Sequence, residues 1–159
     1  MNKKLSKNRK FVVVLGAIFL AVGIVGLIIT ALSNQKFSLD SDQLGSTEYV
    51  DITGEEYENL MRDKKSFLVF VDQDGCITAE GLRKNLEEIQ KGKNFKVYRI
   101  MFSDARETSM NDYVKYYPSI AIIKGGEIKS WLKADADEDI ERYKTKTDLE
   151  DWLNNYIEW

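Results

Sequence analysis

The chain has 159 residues, of which 43% are hydrophobic and 31% charged, with one cysteine, one proline and no histidine. The lack of histidine excludes mechanisms that need an imidazole as base, nucleophile activator or metal ligand. Apart from the five basic residues among the first ten, 18 Lys and Arg face 26 Asp and Glu, a net charge of −8. We therefore expect no binding to nucleic acid, which repels acidic surfaces.

An uncharged apolar run covers residues 11–32. As a helix it would extend roughly 33 Å, enough to cross a hydrocarbon core of about 30 Å. The basic residues before it favour a cytoplasmic tail at 1–10, a single-pass transmembrane helix at 11–32 and an extracytoplasmic remainder. The alternative is a cleaved signal peptide ending near Ala31-Leu32-Ser33, although the apolar core of a signal peptide is normally only ~7–15 residues long.

Residues 33–48 are mostly polar and are predicted to form a flexible tether. Residues 49–159 are then long enough for one hydrophobic core and too short for two. A single cysteine excludes an intrachain disulfide even in an oxidising compartment, so burial of apolar side chains has to stabilise this domain.

The elements predicted for 49–159 alternate between strands and helices. Thr53-Gly-Glu-Glu56 is a capping box that starts the first helix, and Thr147-Asp-Leu-Glu150 is predicted to start the last one in the same way. The remaining predictions are strands at 49–52, 67–71 and 95–102, a helix from Cys76 to Gly92, a helical segment at 110–117, and a hairpin of 119–124 and 127–132. Asp135-Ala-Asp137-Glu-Asp139 lacks the glycine and the terminal glutamate of a calcium loop, so we interpret it as a solvated acidic loop and expect no metal site.

The order βαβαβαββα resembles the thioredoxin-like superfamily, and in particular its membrane-anchored bacterial members. Three local features support the resemblance: Cys76 between a strand and a helix, Tyr117-Pro118-Ser119 before the hairpin, and Lys124-Gly-Gly-Glu127 at its turn. The resemblance implies an α/β fold in which helices flank a central mixed sheet, with no cofactor. It also implies a cis Pro118 beside Cys76 and a client-binding edge formed by Gly75, Ile77, Tyr117 and Pro118. The alternative for Pro118 is an ordinary trans proline that ends a helix.

The chain departs from the family pattern at the redox motif. Gly75-Cys76-Ile77-Thr78-Ala79 keeps one cysteine and has Ala79 in place of the second, so a mixed disulfide at Cys76 has no internal thiol to resolve it. Phe70 stands where thioredoxin has its buried aspartate. The acidic residues Asp72, Asp74 and Glu80 also disfavour a thiolate, in opposition to the helix N-terminus.

Three roles for Cys76 remain open: a relic that is a small apolar side chain at a buried helix start, a monothiol that forms mixed disulfides, and an intermolecular disulfide in a homodimer. Two functions follow. The first is a non-catalytic binding module, held outside the membrane, for an exported or membrane protein or peptide client. The second is a weak monothiol thiol–disulfide oxidoreductase acting through Cys76. The tyrosines at 113, 116 and 117 form either a recognition face beside Pro118 or ordinary packing, and the sequence does not decide between them.

Overall fold

A five-stranded mixed sheet organises the folded part of the chain. The computed structural model describes residues 12, 14, 20, 22 and 23 and the continuous stretch 35–159. The strands are β1 (Tyr49–Asp51), β2 (Phe67–Asp72), β3 (Val97–Met101), β4 (Ser119–Lys124) and β5 (Glu127–Trp131). They lie in the order β1-β3-β2-β4-β5.

Strand direction changes in the middle of this sheet. β1 and β2 both run parallel to β3, whereas β4 is antiparallel to β2 and to β5. Every residue of β2 is buried, as expected for a central strand covered on both faces. The predicted α/β architecture with a central mixed sheet is therefore confirmed.

Helices cover both faces of the sheet. They are α1 (Gly54–Arg62), α2 (Ile77–Lys93), α3 (Phe102–Ala105), α4 (Ile140–Lys144) and α5 (Lys146–Asn154). The capping box predicted for α1 is confirmed, since the Thr53 side chain accepts from the Glu56 N–H and the Glu56 carboxylate accepts from the Thr53 N–H. Such a cap contributes about 1 kcal/mol to helix stability.

The sheet separates two apolar cores. One core packs α2 and α5 against alternate strand residues such as Phe70 and Ile120. The other packs α1 and the segment after α3 against the opposite residues, among them Phe67 and Val69. The period-2 alternation of the strands explains this division, because neighbouring residues in a strand point to opposite faces.

Residues 33–48 were expected to form a flexible tether, but from Lys36 onward this segment is part of the compact domain. A compact unit begins at Lys36, and Phe37 and Leu39 are buried in the core that contains α2. The Phe37 N–H donates to the Tyr156 carbonyl at 2.9 Å, and the Phe37 carbonyl accepts from the Glu158 N–H at 2.9 Å. Two apolar residues at alternate positions, Phe37 and Leu39, are enough to hold this polar stretch against the core. The average composition of the stretch does not predict this packing. We call residues 36–47 the N-terminal strap.

Two predicted helix boundaries are wrong. The helix expected at 110–117 is a single 3-10 turn, Ser109–Asp112, followed by irregular chain. Pro118 disfavours the helical conformation at the residue before it, and a segment this short takes its conformation from tertiary packing, here that of Met110 and Val114 in the core. The last helix begins at Lys146, because the side chain of Thr145, two residues before the predicted cap, accepts from the Asp148 N–H at 3.1 Å.

The acidic loop is also less solvated than expected. Asp139 is 2% exposed. Its carboxylate accepts from the Lys133 N–H at 2.7 Å and from the Arg142 guanidinium. Asp139 therefore holds the end of β5 to the start of α4 and has an internal counter-ion.

Within the described residues, no helix is long and apolar enough to cross a membrane. The basic tail predicted for 1–10 and nearly all of the anchor predicted for 11–32 lie outside the residues that the structure describes.

Candidate functional site

One end of the sheet brings the predicted site residues together. Val71 in β2 pairs with Ser119 at the start of β4, so the loop that leaves β2 and the chain that enters β4 meet at this end. The first contains Gly75, Cys76 and Ile77, and the second contains Tyr117 and Pro118. We call these five residues the loop end.

Cys76 is the N-cap residue of α2 and is half-buried. Its side chain packs against the core that contains Ala79, its N–H donates to the Gln73 carbonyl at 3.4 Å, and its carbonyl accepts from the Glu80 N–H at 3.1 Å. Gly75 precedes it with a φ of 68°, a conformation that side chains rarely adopt. The thiol is therefore neither fully buried nor freely exposed, so the burial expected for a relic is only partial.

Ala79, one turn along α2, is 0% exposed. Its methyl group occupies the position at which the second cysteine of a dithiol motif, the one that resolves a mixed disulfide, would lie. Because the chain has one cysteine, any mixed disulfide at Cys76 has to be resolved by a thiol from outside.

Asp72 at the end of β2 is buried, which its acidic side chain did not indicate in the sequence. It is 1% exposed, and one carboxylate oxygen lies 2.6 Å from the Arg83 guanidinium and 3.8 Å from that of Arg99. The other oxygen accepts from the Gln73 N–H at 2.8 Å. Two arginines therefore offset the charge of Asp72, one of the three acidic residues that the sequence places around the thiol.

Pro118 is preceded by a cis peptide bond, as the resemblance implied. The Pro118 carbonyl accepts from the Tyr143 hydroxyl at 2.9 Å. The Tyr117 ring is half-buried and packs against Phe102 in a tilted arrangement, with 4.9 Å between centroids and 56° between the ring planes. Its hydroxyl donates to the Val114 carbonyl at 3.1 Å. Both side-chain and backbone contacts thus hold this loop in place.

The loop end also presents groups that are free to meet a partner. Ile77 is 85% exposed, the highest value among the exposed apolar residues of the stretch 35–159. Within that same stretch, neither the N–H nor the C=O of Tyr117 makes a backbone hydrogen bond to another backbone group. An exposed apolar side chain and a backbone segment without backbone partners, at the same end of a sheet, are typical of a surface that binds polypeptide.

The fold has many counterparts among solved structures. A point mutant of thioredoxin from Halobacterium salinarum superposes with a TM-score of 0.55 at 17% identity, covering 72% of this chain and 96% of that one. Thioredoxin O1 from Arabidopsis thaliana in its oxidized state gives 0.51 at 16% identity, covering 69% and 98%. A thioredoxin from Schistosoma mansoni gives 0.52 at 16% identity, covering 71% and 100%.

No protein-family model matches the sequence, and no curated protein is significantly similar to it. The likeness at these identities therefore concerns architecture. The chain contains a domain with a thioredoxin-like fold.

Proposed function

We propose that this protein is a membrane-tethered thioredoxin-like binding module that acts outside the cell membrane and has no redox turnover of its own. Its client is an exported or membrane protein or peptide that docks on the loop end. The observation that carries the proposal is the combination of a buried Ala79 in place of the second thiol with an exposed Ile77. The domain keeps a surface for polypeptide and lacks the group that would complete a catalytic cycle.

The tethering part of the proposal is supported by the uncharged run 11–32 and the basic residues before it. Protease added to spheroplasts should remove the domain and leave a protected N-terminal fragment. A chain that stays intact until the membrane is permeabilised would place the domain on the other side and refute the proposed compartment.

The absence of turnover is tested by insulin reduction with the purified full-length protein. The expected rate equals that of a reaction without protein, since a mixed disulfide at Cys76 has no internal thiol to release it. Multiple turnovers without glutathione or another small thiol would contradict the proposal.

The docking surface is tested in a deletion strain by complementation. Cys76→Ser should restore the wild-type phenotype, and Ile77→Asp should not, because a charge at this exposed position opposes an apolar contact without touching the core. Ile140→Asp is the matched control, since Ile140 is also an exposed isoleucine but lies at the start of α4. If Ile77→Asp complements as well as Ile140→Asp, the loop end is not the docking surface.

The partial exposure of Cys76 at the N-terminus of a 17-residue helix favours one second candidate, a monothiol oxidoreductase. The Cys76 thiolate would attack a client disulfide, form a mixed disulfide and release one client thiolate; a small external thiol would then release Cys76. In that case Cys76→Ser is null, and a covalent client adduct disappears from non-reducing gels. An adduct of twice the chain's mass would instead identify a Cys76-linked homodimer.

A further inference from the structure

A second surface feature lies beyond the loop end, on the edge-strand side of Pro118. It is a cavity of about 190 Å³ between the irregular chain after the 3-10 turn and the end of β5. Its lining residues are Tyr113, Lys115, Tyr116, Trp131, Leu132, Lys133 and Asp135. None of them belongs to the loop end, and no role for them follows from Cys76.

Aromatic side chains form the apolar wall of this cavity. The Tyr113 ring stands edge-on against Trp131, with 5.5 Å between centroids, and Tyr113 and Tyr116 are 48% and 55% exposed. Large aromatic side chains that stay this exposed around a concavity are typical of the anchor sites of protein interfaces. The wall is rigid on one side, because Trp131 is held in β5 and Leu132 is fully buried.

Two lysines give the cavity a charge opposite to that of the rest of the domain. Lys115 and Lys133 line it together with Asp135, a net charge of +1, on a chain whose residues beyond position 32 carry −8. The Lys133 ammonium lies 5.7 Å from the centre of the Trp131 ring. Its nearest counter-ion, Glu138, is 3.8 Å away and largely exposed, so this ion pair is weak and exchangeable.

The size of the cavity limits its occupant. Pockets for cofactors and other small molecules usually measure ~300–1,000 Å³, which is well above the volume here. A space of about 190 Å³ suits one or two amino-acid side chains. Because β5 is the last strand of the sheet, a polypeptide can reach the cavity along an open edge.

We propose that this cavity is a docking pocket for a partner polypeptide, which inserts one aromatic or large apolar side chain between Tyr116 and Trp131 and places a neighbouring carboxylate beside Lys115 and Lys133. The aromatic wall supplies the apolar contact, and the charge reversal selects an acidic segment. The proposal does not depend on the thiol of Cys76 or on the backbone of Tyr117, so it survives if the function proposed for the loop end fails.

The test uses the full-length protein in detergent micelles and an array of immobilised decapeptides. Each peptide carries one ordered pair of amino acids at the centre of a Gly-Ser frame, so that all pairs are compared. The expected binders contain Asp or Glu next to Phe, Tyr, Trp or Leu. Tyr116→Ala and Lys133→Ala should each weaken binding about tenfold, as loss of an anchor residue does.

Two control variants separate this pocket from the rest of the surface. Lys144→Ala removes an exposed lysine from α4, and Ile140→Ala removes an exposed isoleucine from the start of the same helix; both should bind the array as the wild type does. Circular dichroism of all four variants should be unchanged, because each altered side chain is exposed. Binding that is absent, that prefers basic pairs, or that persists unchanged in Tyr116→Ala and Lys133→Ala overturns the proposal.

Discussion

Arg83 in α2 and Asp72 at the end of β2, just before the loop that carries Cys76, form an ion pair with 2.6 Å between the guanidinium nitrogen and the carboxylate oxygen. Asp72 is 1% exposed, whereas the Arg83 side chain is 29% exposed. Loss of the arginine would therefore leave a buried charge, whereas loss of the carboxylate would leave a charge that water can reach. Removing one partner of a buried pair leaves an uncompensated charge, which costs more than the pair itself contributes.

Arg83→Ala should therefore destabilise the domain. We expect a loss of about 3 kcal/mol, at the lower end of the range for buried pairs, because Arg83 is partly exposed and Arg99 lies 3.8 Å from the same carboxylate. Asp72→Asn should cost less, since it removes the buried charge and keeps an oxygen for the Gln73 N–H. Urea unfolding measures both. Lys84→Ala, on the exposed side of the same helix, is the control, and an equal effect of Lys84→Ala and Arg83→Ala would contradict the role of the pair.

The N-terminal strap is a second source of stability. Leu39 is 4% exposed in the core that contains α2, so Leu39→Ala should lower the free energy of unfolding by about 2–3 kcal/mol. Ser38→Ala, at the exposed position next to it, should change it by less than about 0.5 kcal/mol. Thermal and urea unfolding of the full-length protein give both values. Equal values for the two variants would mean that the strap is not docked in solution.

Ala79→Cys should create an intramolecular disulfide with Cys76 under oxidising conditions. The two positions are three residues apart at the start of α2, where side chains face each other across about 5–6 Å. Oxidation should abolish maleimide labelling of the denatured protein and restore it after reduction. Thr78→Cys is the matched control, because residues two apart on a helix point in different directions and Thr78 is exposed. A disulfide in the control and not in Ala79→Cys would refute the placement of Cys76 at the helix cap.

Stability should fall at alkaline pH. Burial and, to a smaller extent, the charge of Asp139 raise the pKa of Tyr143 above its ordinary value of 10.0, and burial likewise raises the pKa of Tyr49 and of Tyr57. A raised pKa in the folded state means that the stabilisation is fully present below pH 10 and is lost as the pH rises further, because the unfolded chain ionises first.

The measurement is urea unfolding from pH 8 to pH 11, with phenolate absorbance as a direct readout. Tyr143→Phe should lose less stability over this interval than the wild type, although it loses the hydrogen bond to the Pro118 carbonyl at every pH. A wild-type stability that is flat through pH 11 would contradict the burial of these three hydroxyls.

Local patterns predicted much of the fold. The capping box at Thr53, the continuous apolar run of β2 and the Gly125-Gly126 turn each involve residues within a few positions of one another, and each was found where expected. The placement of Cys76 at a strand-to-helix junction follows from the same patterns. The error at Thr147 arises because Thr145, two residues earlier, is also an N-cap residue type, and the error at 110–117 arises because core packing of Met110 and Val114 sets the conformation there.

The sequence by itself determined the order of the five strands and of helices α1, α2 and α5, the absence of imidazole chemistry, and a single thiol without a resolving partner, because these depend on residue identity and short-range spacing. Tertiary structure alone decided that Asp72 is neutralised by Arg83 and Arg99, that Phe37 pairs with the C-terminal segment at Ile157, and that Tyr113 meets Trp131 beside two lysines. Each of these contacts joins residues that only the folded sheet brings together, and their energies come from burial and from low local polarity. Neither quantity exists until the chain has folded.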